Sequence, residues 1–152
     1  VSQRFHETGK ACPLTLAEQV YDETEGYTYY VQKLSHIMWD KTDKTATDDI
    51  LKESLRELLE AESSDFEGAW TGLGWTEKRV LMGLALDPTS KPYSTAFLSR
   101  YGLSGGATQK ALKQLIRKDI VELGETNIYQ PTDPLLKRWC RAVSSGSGLQ
   151  RE

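Results

Sequence analysis

Cationic side chains repeat at helical spacing in the C-terminal half of the sequence. Lys110, Lys113 and Arg117 stand at positions i, i+3 and i+7, which share one face of an α-helix. Cationic and amide side chains on an exposed helix can read base edges in the major groove of DNA. The solvated face of an amphipathic helix has a similar composition. The predicted nucleic-acid or partner-binding residues are Ser104, Gln109, Lys110, Lys113, Gln114 and Arg117.

The segment that follows this helix carries the opposite charge. Between Asp119 and Leu136 there is no Lys or Arg, whereas Asp119, Glu122, Glu125 and Asp133 are acidic. Basic contacts to phosphates supply most of the non-specific affinity of proteins for DNA. An acidic segment at this place therefore disfavours duplex DNA as the partner.

Two glycines, Gly105 and Gly106, begin the same helix. Bare amides at a helix N-terminus can bind a phosphate, and glycines also let two helices approach each other closely. We favour the packing interpretation.

Signals for catalysis are weak. Thr8-Gly9-Lys10 resembles the end of a phosphate-binding loop, but that motif requires a Gly where Arg4 stands and a Ser or Thr where Ala11 stands. The sequence therefore lacks both the backbone cradle and the magnesium-binding hydroxyl of such a loop.

The two histidines, His6 and His36, have no carboxylate or Cys partner at a metal-ligand spacing. The acid pairs Asp48 and Asp49, and Glu60 and Glu62, are interpreted as solvated helix faces. We expect no catalytic residue and no metal site.

Composition indicates an ordinary globular chain. Its 152 residues are 38% hydrophobic and 27% charged, and no apolar run approaches the roughly 20 residues that cross a bilayer. Cys12 and Cys140 have no CxxC spacing, which favours reduced thiols and a cytoplasmic location. The first residue, Val1, is not Met, which leaves open that the chain is a piece of a longer protein.

Charge is distributed unevenly along the chain. Residues 1–70 hold 7 Lys/Arg and 15 Asp/Glu, a net charge of −8, whereas residues 71–152 hold 12 and 7, a net charge of +5. This asymmetry indicates two modules with different surroundings.

Residues 1–72 are predicted to form a three-helix bundle. The first helix begins with a capping box, Thr15 to Glu18, and ends at Gly26. The third begins at Thr47, which acts as N-cap. The apolar stripes of the second and third helices are Tyr30, Val31, Leu34, Ile37 and Met38, and Leu51, Leu55, Leu58 and Leu59, with Phe66 and Trp70 on a continuation or on a separate turn.

Residues 73–143 are predicted to form a winged helix-turn-helix, and residues 144–152 a flexible Ser/Gly tail. Thr76 caps the first helix, with Trp75 and Val80 as a hydrophobic staple. The next elements are a helix over 94–101 closed by Gly102, a helix capped by Ser104, a hairpin with strands at 120–123 and 128–130, and a last helix that starts at Pro134. The inward residues of the two longer helices are Ala107, Ala111, Leu112, Leu115 and Ile116, then Leu135, Leu136, Trp139, Cys140 and Val143.

The motifs Arg4 to Gly9, Thr24 to Gln32 with Leu34 and Trp39, Leu73 to Glu77, and Tyr129 to Pro134 with Trp139 carry a resemblance to a known family. Over nearly its whole length the chain resembles the C-terminal half of prokaryotic AAA+ ATPases of the STAND-like, archaeal-type group. That half consists of a helical lid over the nucleotide followed by a winged helix.

The resemblance implies that Gly26, Tyr27 and Thr28 lie near the nucleotide, because the lid of the family has a Gly-x-Pro motif that packs near the adenine. Gly26 matches the Gly, but Thr28 stands where the family has Pro. It also implies an upstream ATPase domain of the same protein, which would bind ATP and magnesium. This chain itself is expected to bind no cofactor.

Three functions remain open. The preferred one is a non-catalytic lid and winged-helix module that couples nucleotide state to a protein or DNA partner. The second is a winged-helix DNA-binding regulator that uses the helix over 104–118. The third is a protein-interaction module in which the acidic bundle binds a basic partner.

Overall fold

The computed structural model describes residues 1–146. As predicted, the fold is mainly helical with one small antiparallel hairpin. Two compact units, Val1–Ser64 and Asp65–Glu152, divide within the fourth helix, upstream of the predicted boundary at 72/73. In the described residues the helices are α1 Ser2–Glu7, α2 Leu14–Glu23, α3 Thr28–Lys41, α4 Asp48–Thr71, α5 Trp75–Leu86, α6 Thr95–Tyr101, α7 Gly105–Arg117 and α8 Pro134–Ser145, and the strands are β1 Val121–Leu123 and β2 Tyr129–Pro131.

The N-terminal unit contains one helix more than predicted. Helix α1 is six residues long and buries only Phe5, so its sequence has no apolar periodicity to reveal it. The core of this unit is apolar and comprises Phe5, Leu16, Val20, Leu34, Met38, Leu51 and Leu58.

Helix α2 starts earlier than its predicted capping box. The N-cap is Pro13, no side chain caps the helix, and Thr15 lies within the first turn. The capping box at Thr15 is therefore wrong. Helix α2 ends at Glu23, three residues before the predicted end at Gly26, and its C-cap Thr24 is not left-handed. The left-handed residues are Glu25, with φ +49°, and Gly26, with φ +70°, in the turn that follows.

Helix α4 is a single element of 24 residues, so Phe66 and Trp70 lie on its continuation. Thr47 caps it as predicted, because the Thr47 hydroxyl accepts a hydrogen bond from the Ile50 amide at 3.3 Å. The predicted stripe is only partly buried: Leu55 and Leu59 are half-buried. The buried positions step by three or four residues along Leu51, Ser54, Leu58, Glu62 and Phe66.

The C-terminal unit packs α5, α7 and α8 around one core. Its fully buried side chains include Val80, Leu81, Leu84, Leu112, Leu115, Val121, Leu135 and Cys140. Phe66 and Trp70 pack on Trp139, with ring centroids 6.3 and 5.9 Å from it. The N-cap of α5 is Gly74 and makes no side-chain cap, so the predicted cap at Thr76 is wrong. Trp75 is 61% exposed, so the predicted staple is wrong as well.

Strands β1 and β2 pair with the register Val121 to Pro131 and Leu123 to Tyr129. Thr89 adds a bridge on the other side of Tyr129. The first residues of the predicted tail, Ser144 and Ser145, are the end of α8, and the tail from residue 147 lies outside the described residues. Across residues 1–146 the structure contains no helix with the length and apolar character that a bilayer crossing needs.

Candidate partner-binding face of the winged helix

Local capping defines the helix-turn-helix. The hydroxyl of Ser94 accepts a hydrogen bond from the Phe97 amide at 3.3 Å and starts α6. Gly102 ends α6 in the left-handed region, with φ +61°. Ser104 then accepts from the Ala107 amide at 3.4 Å and starts α7. Ser104 is therefore the N-cap of the predicted recognition helix, as the sequence indicated.

Helix α5 holds α7 at both of its ends. The Arg79 guanidinium donates a 2.8 Å hydrogen bond to the backbone oxygen of Tyr101, just before the turn that leads into α7. Glu77 pairs with Lys118 at 3.1 Å, directly after α7. Since Lys118 already has an acidic partner, it adds little to the charge that α7 presents.

The two faces of α7 differ sharply in polarity. The buried face consists of Thr108, Ala111, Leu112 and Leu115. Two residues predicted to face inward do not: Ala107 is exposed and Ile116 is 43% exposed. Thr108, which a hydrophobic pattern does not reveal, takes a core position instead.

The opposite face of α7 brings most of the predicted partner-binding residues together. Gln109, Lys110, Lys113 and Arg117 are exposed, and Gln114 is half-buried. None of the ion pairs identified within the described residues involves any of the three cations. Their charges are therefore available to an anionic partner.

The glycines at the start of α7 have no packing role. A side chain at Gly105 would meet only the Leu98 side chain, at 4.0 Å, and one at Gly106 would enter open space. Neither glycine has a positive φ. The packing interpretation of this pair is therefore wrong. Gly106 lies four residues before Lys110, so it shares the cationic face and leaves the backbone accessible there.

The wing, which is the hairpin of β1 and β2 together with Asp119 before it, carries exposed carboxylates. Asp119 and Glu125 are exposed and Glu122 is half-buried, and Glu122 lies opposite Gln130 in the hairpin register. Asp133 has a different role, because its carboxylate accepts hydrogen bonds from the amides of Leu135 and Leu136 at 2.8 and 3.1 Å. It caps α8 and does not belong to the wing surface.

The predicted nucleotide residues form the start of α3. Gly26 is left-handed and lies against the Tyr21 ring, where an added Cβ would come within 2.6 Å of that ring. Tyr27 is the N-cap and is 46% exposed. Thr28 is the first residue of the helix, and no side chain caps it.

The Thr8-Gly9-Lys10 segment packs on Trp39 and does not form a phosphate cradle. The Trp39 indole donates a 2.7 Å hydrogen bond to the Thr8 hydroxyl. The Lys10 ammonium lies 4.0 Å from the centroid of the Trp39 ring and donates a hydrogen bond to the Trp39 backbone oxygen at 2.7 Å. These contacts fasten α1 to the end of α3.

Two side chains have partners that the sequence analysis did not identify. His36 lies 3.6 Å from the Asp40 carboxylate, one helical turn away. Glu62, which we interpreted as solvated, is buried and pairs with Lys33. The hydrogen bond to Glu62, followed by one to Tyr29, raises the pKa of Lys33. Within residues 1–146, no group of three His, Cys, Asp or Glu side chains is arranged to hold a metal ion.

A surface groove of about 670 Å³ lies between α1 and α3. It is lined by Arg4, Phe5, Thr8, Gln32, His36 and Trp39, among others. No sequence pattern indicated this groove, because α1 was not predicted.

The fold, the capped α6 and α7 and the short hairpin define a winged helix-turn-helix. A sequence model of the family described as "probable winged helix domain" matches residues 64–142, slightly more than half of the chain. The chain belongs to this family. No curated protein and no solved structure matches the chain.

Proposed function

We propose that this chain is the non-catalytic lid and winged-helix module of a P-loop AAA+ ATPase, and that it couples the nucleotide state to a partner. The start of α3 carries this proposal. Gly26 there is left-handed, Tyr27 is exposed and Thr28 is uncapped. These residues occupy the positions of the Gly-x-Pro motif that packs near the adenine in the lid of the ATPases that the chain resembles.

Thr28 stands where the Gly-x-Pro motif of these ATPases has Pro, but its position in α3 is one that suits a proline. Thr28 is the first residue of α3, the position where Pro is most favourable in a helix. Tyr27 before it is extended and not helical, with φ −65° and ψ 107°, and a residue that precedes Pro also avoids the helical region. The position of Thr28 at the start of α3 therefore supports the comparison with a Gly-x-Pro motif, although Pro itself is absent.

In the proposed mechanism the chain binds no cofactor tightly on its own. ATP and magnesium bind to an upstream ATPase domain of the same protein, and Gly26, Tyr27 and Thr28 contact the nucleotide from the lid. The nucleotide state favours one position of the lid, and the exposed face of α7 gains or loses its partner accordingly. Two free cysteines fit the cytoplasmic location that this role requires.

Nucleotide affinity of the complete gene product tests the proposal. Tyr27→Ala should weaken the binding of a fluorescent ATP analogue by about 5-fold, the loss of roughly 1 kcal/mol of ring contact. The matched control is Tyr93→Ala, since Tyr93 is also 46% exposed but lies in the winged helix. Equal affinity of the Tyr27 variant and the wild type, or a gene without a GxxxxGK[ST] motif, would contradict the proposal.

The cationic face of α7 favours a second candidate, a DNA-binding regulator. Lys110, Lys113 and Arg117 are exposed without ion pairs within the described residues, and Gly106 leaves room for a phosphate backbone. If this function is correct, the slope of log K against log[salt] is negative. Replacing the three cations with Ala should make it shallower by about 3 units, because about three phosphate contacts are lost. The absence of a band shift at low salt rejects it.

A further inference from the structure

The exposed side of α7 and the wing that packs beside it carry opposite charges, and we name these two neighbouring elements together the bipolar face. Its cationic side consists of Lys110, Lys113 and Arg117, and its anionic side of Asp119, Glu122 and Glu125. The sign changes within two residues of the chain, from Arg117 to Asp119. Lys118, which lies between them, adds little positive charge there because it pairs with Glu77.

Two large apolar side chains belong to the same elements. Ile116 on α7 is 43% exposed, and Leu123 on β1 is 49% exposed on the side of the strand opposite Glu122. Exposed aliphatic side chains add affinity in an interface with another protein, where they are removed from water. A sugar-phosphate backbone gives them no comparable contact.

We propose that the bipolar face binds a protein segment whose charges are ordered in blocks, with acidic residues against α7 and basic residues against the wing. The inference rests on the proposed function only in taking α7 as the partner surface. A duplex presents phosphates along its whole length, so it satisfies the cations of α7 but brings like charge to Glu122 and Glu125. A block-ordered segment satisfies both sides, and complementary charges fix its direction.

Three probes of the 152-residue chain distinguish these partners. The first is a peptide with an acidic block, a short apolar centre and a basic block. The second has the same composition with alternating charges, and the third is a short DNA duplex. At low salt the block-ordered peptide should bind about 5-fold more tightly than the alternating one, because only its charges can match both sides at once.

Charge reversal in the wing gives the sharper test. Glu122→Lys with Glu125→Lys should abolish the preference for the block-ordered peptide and increase the affinity for the duplex. The control, Asp65→Lys with Glu67→Lys, changes the net charge equally at two exposed positions of α4 and should leave the peptide preference unchanged. Glu125→Lys alone, in an exposed turn, replaces the double variant if the latter fails to fold.

Three results would overturn the inference. They are equal binding of the two peptides, a wild-type chain that binds the duplex more tightly than either peptide, and a wing reversal that leaves the peptide preference intact. These measurements contain no nucleotide, so they are independent of the lid. The two proposals can therefore fail separately. If the gene product shows no nucleotide response but keeps the peptide preference, the lid proposal is rejected and the peptide-binding inference is supported.

Discussion

The Arg79 guanidinium donates a 2.8 Å hydrogen bond to the backbone oxygen of Tyr101. The next residue, Gly102, is left-handed, and a Cβ placed on it would come within 2.7 Å of the same guanidinium nitrogen. Arg79 also lies 4.4 Å from the centroid of the Trp75 ring. One side chain of α5 therefore fixes the turn from which α7 begins, and with it the placement of the cationic face.

Gly102→Ala should destabilise the protein through both strain and crowding. Placing Ala at φ +61° costs about 1 kcal/mol, and displacing Arg79 adds to that cost. In an Arg79→Ala background only the backbone strain remains. Urea unfolding of the two single variants and the double variant measures the coupling, and an identical cost of Gly102→Ala in both backgrounds contradicts this account.

Thr28→Pro should stabilise the N-terminal unit by about 0.4–1 kcal/mol, because Pro at the first helical position restricts the unfolded chain without breaking a helical hydrogen bond. Thermal unfolding measures the effect. Ser35→Pro in the middle of α3 is the matched control and should cost about 3 kcal/mol or more. If Thr28→Pro lowers the unfolding temperature as much as Ser35→Pro does, Thr28 does not correspond to the proline of the Gly-x-Pro motif.

Burial raises the pKa of the Cys140 thiol to about 12. In the unfolded chain the thiol ionises near its ordinary value, so folding is favoured by the neutral thiol below about pH 9 and loses this contribution as the pH rises toward 12. The urea midpoint should therefore fall between pH 9 and pH 11. The fall in the urea midpoint should be smaller in Cys140→Ala. Burial also raises the pKa values of Tyr93 and Tyr101, and these two residues contribute equally to the fall in both proteins. Equal falls would mean that Cys140 is accessible to water.

Glu60 and Glu62 look equivalent in the sequence but occupy different environments. Glu62 is buried against Lys33, whereas Glu60 is exposed. Glu62→Ala should cost about 1 kcal/mol of unfolding free energy, a modest value because Lys33 is partly exposed. Glu60→Ala should change it by less than about 0.5 kcal/mol. Similar unfolding midpoints for the two variants would show that the ion pair with Lys33 has no net effect.

The C-terminal unit could be predicted from sequence because its signals are local. Ser94, Gly102 and Ser104 define α6 and α7 through caps that span only three or four residues. The position of the hairpin, to within one residue at each strand, and the start of α8 at Pro134 follow from similarly short signals. The family match to residues 64–142 confirms the winged helix.

The predictions were wrong where local residue types did not decide the structure. Thr15 and Thr76 have the residue types of N-caps, but α2 and α5 begin earlier, at Leu14 and Trp75. Helix α1 forms around a single buried side chain, Phe5, which no periodicity identifies. The absence of a packing role for Gly106 becomes visible only from the space around it.

Hydrogen exchange of the complete gene product, with and without a non-hydrolysable ATP analogue, tests the lid and winged-helix role most directly. The account predicts that the nucleotide slows exchange of the amides of residues 27–31 at the start of α3 and alters exchange over 104–118 in α7. Unchanged exchange in both segments at saturating nucleotide would contradict the central claim.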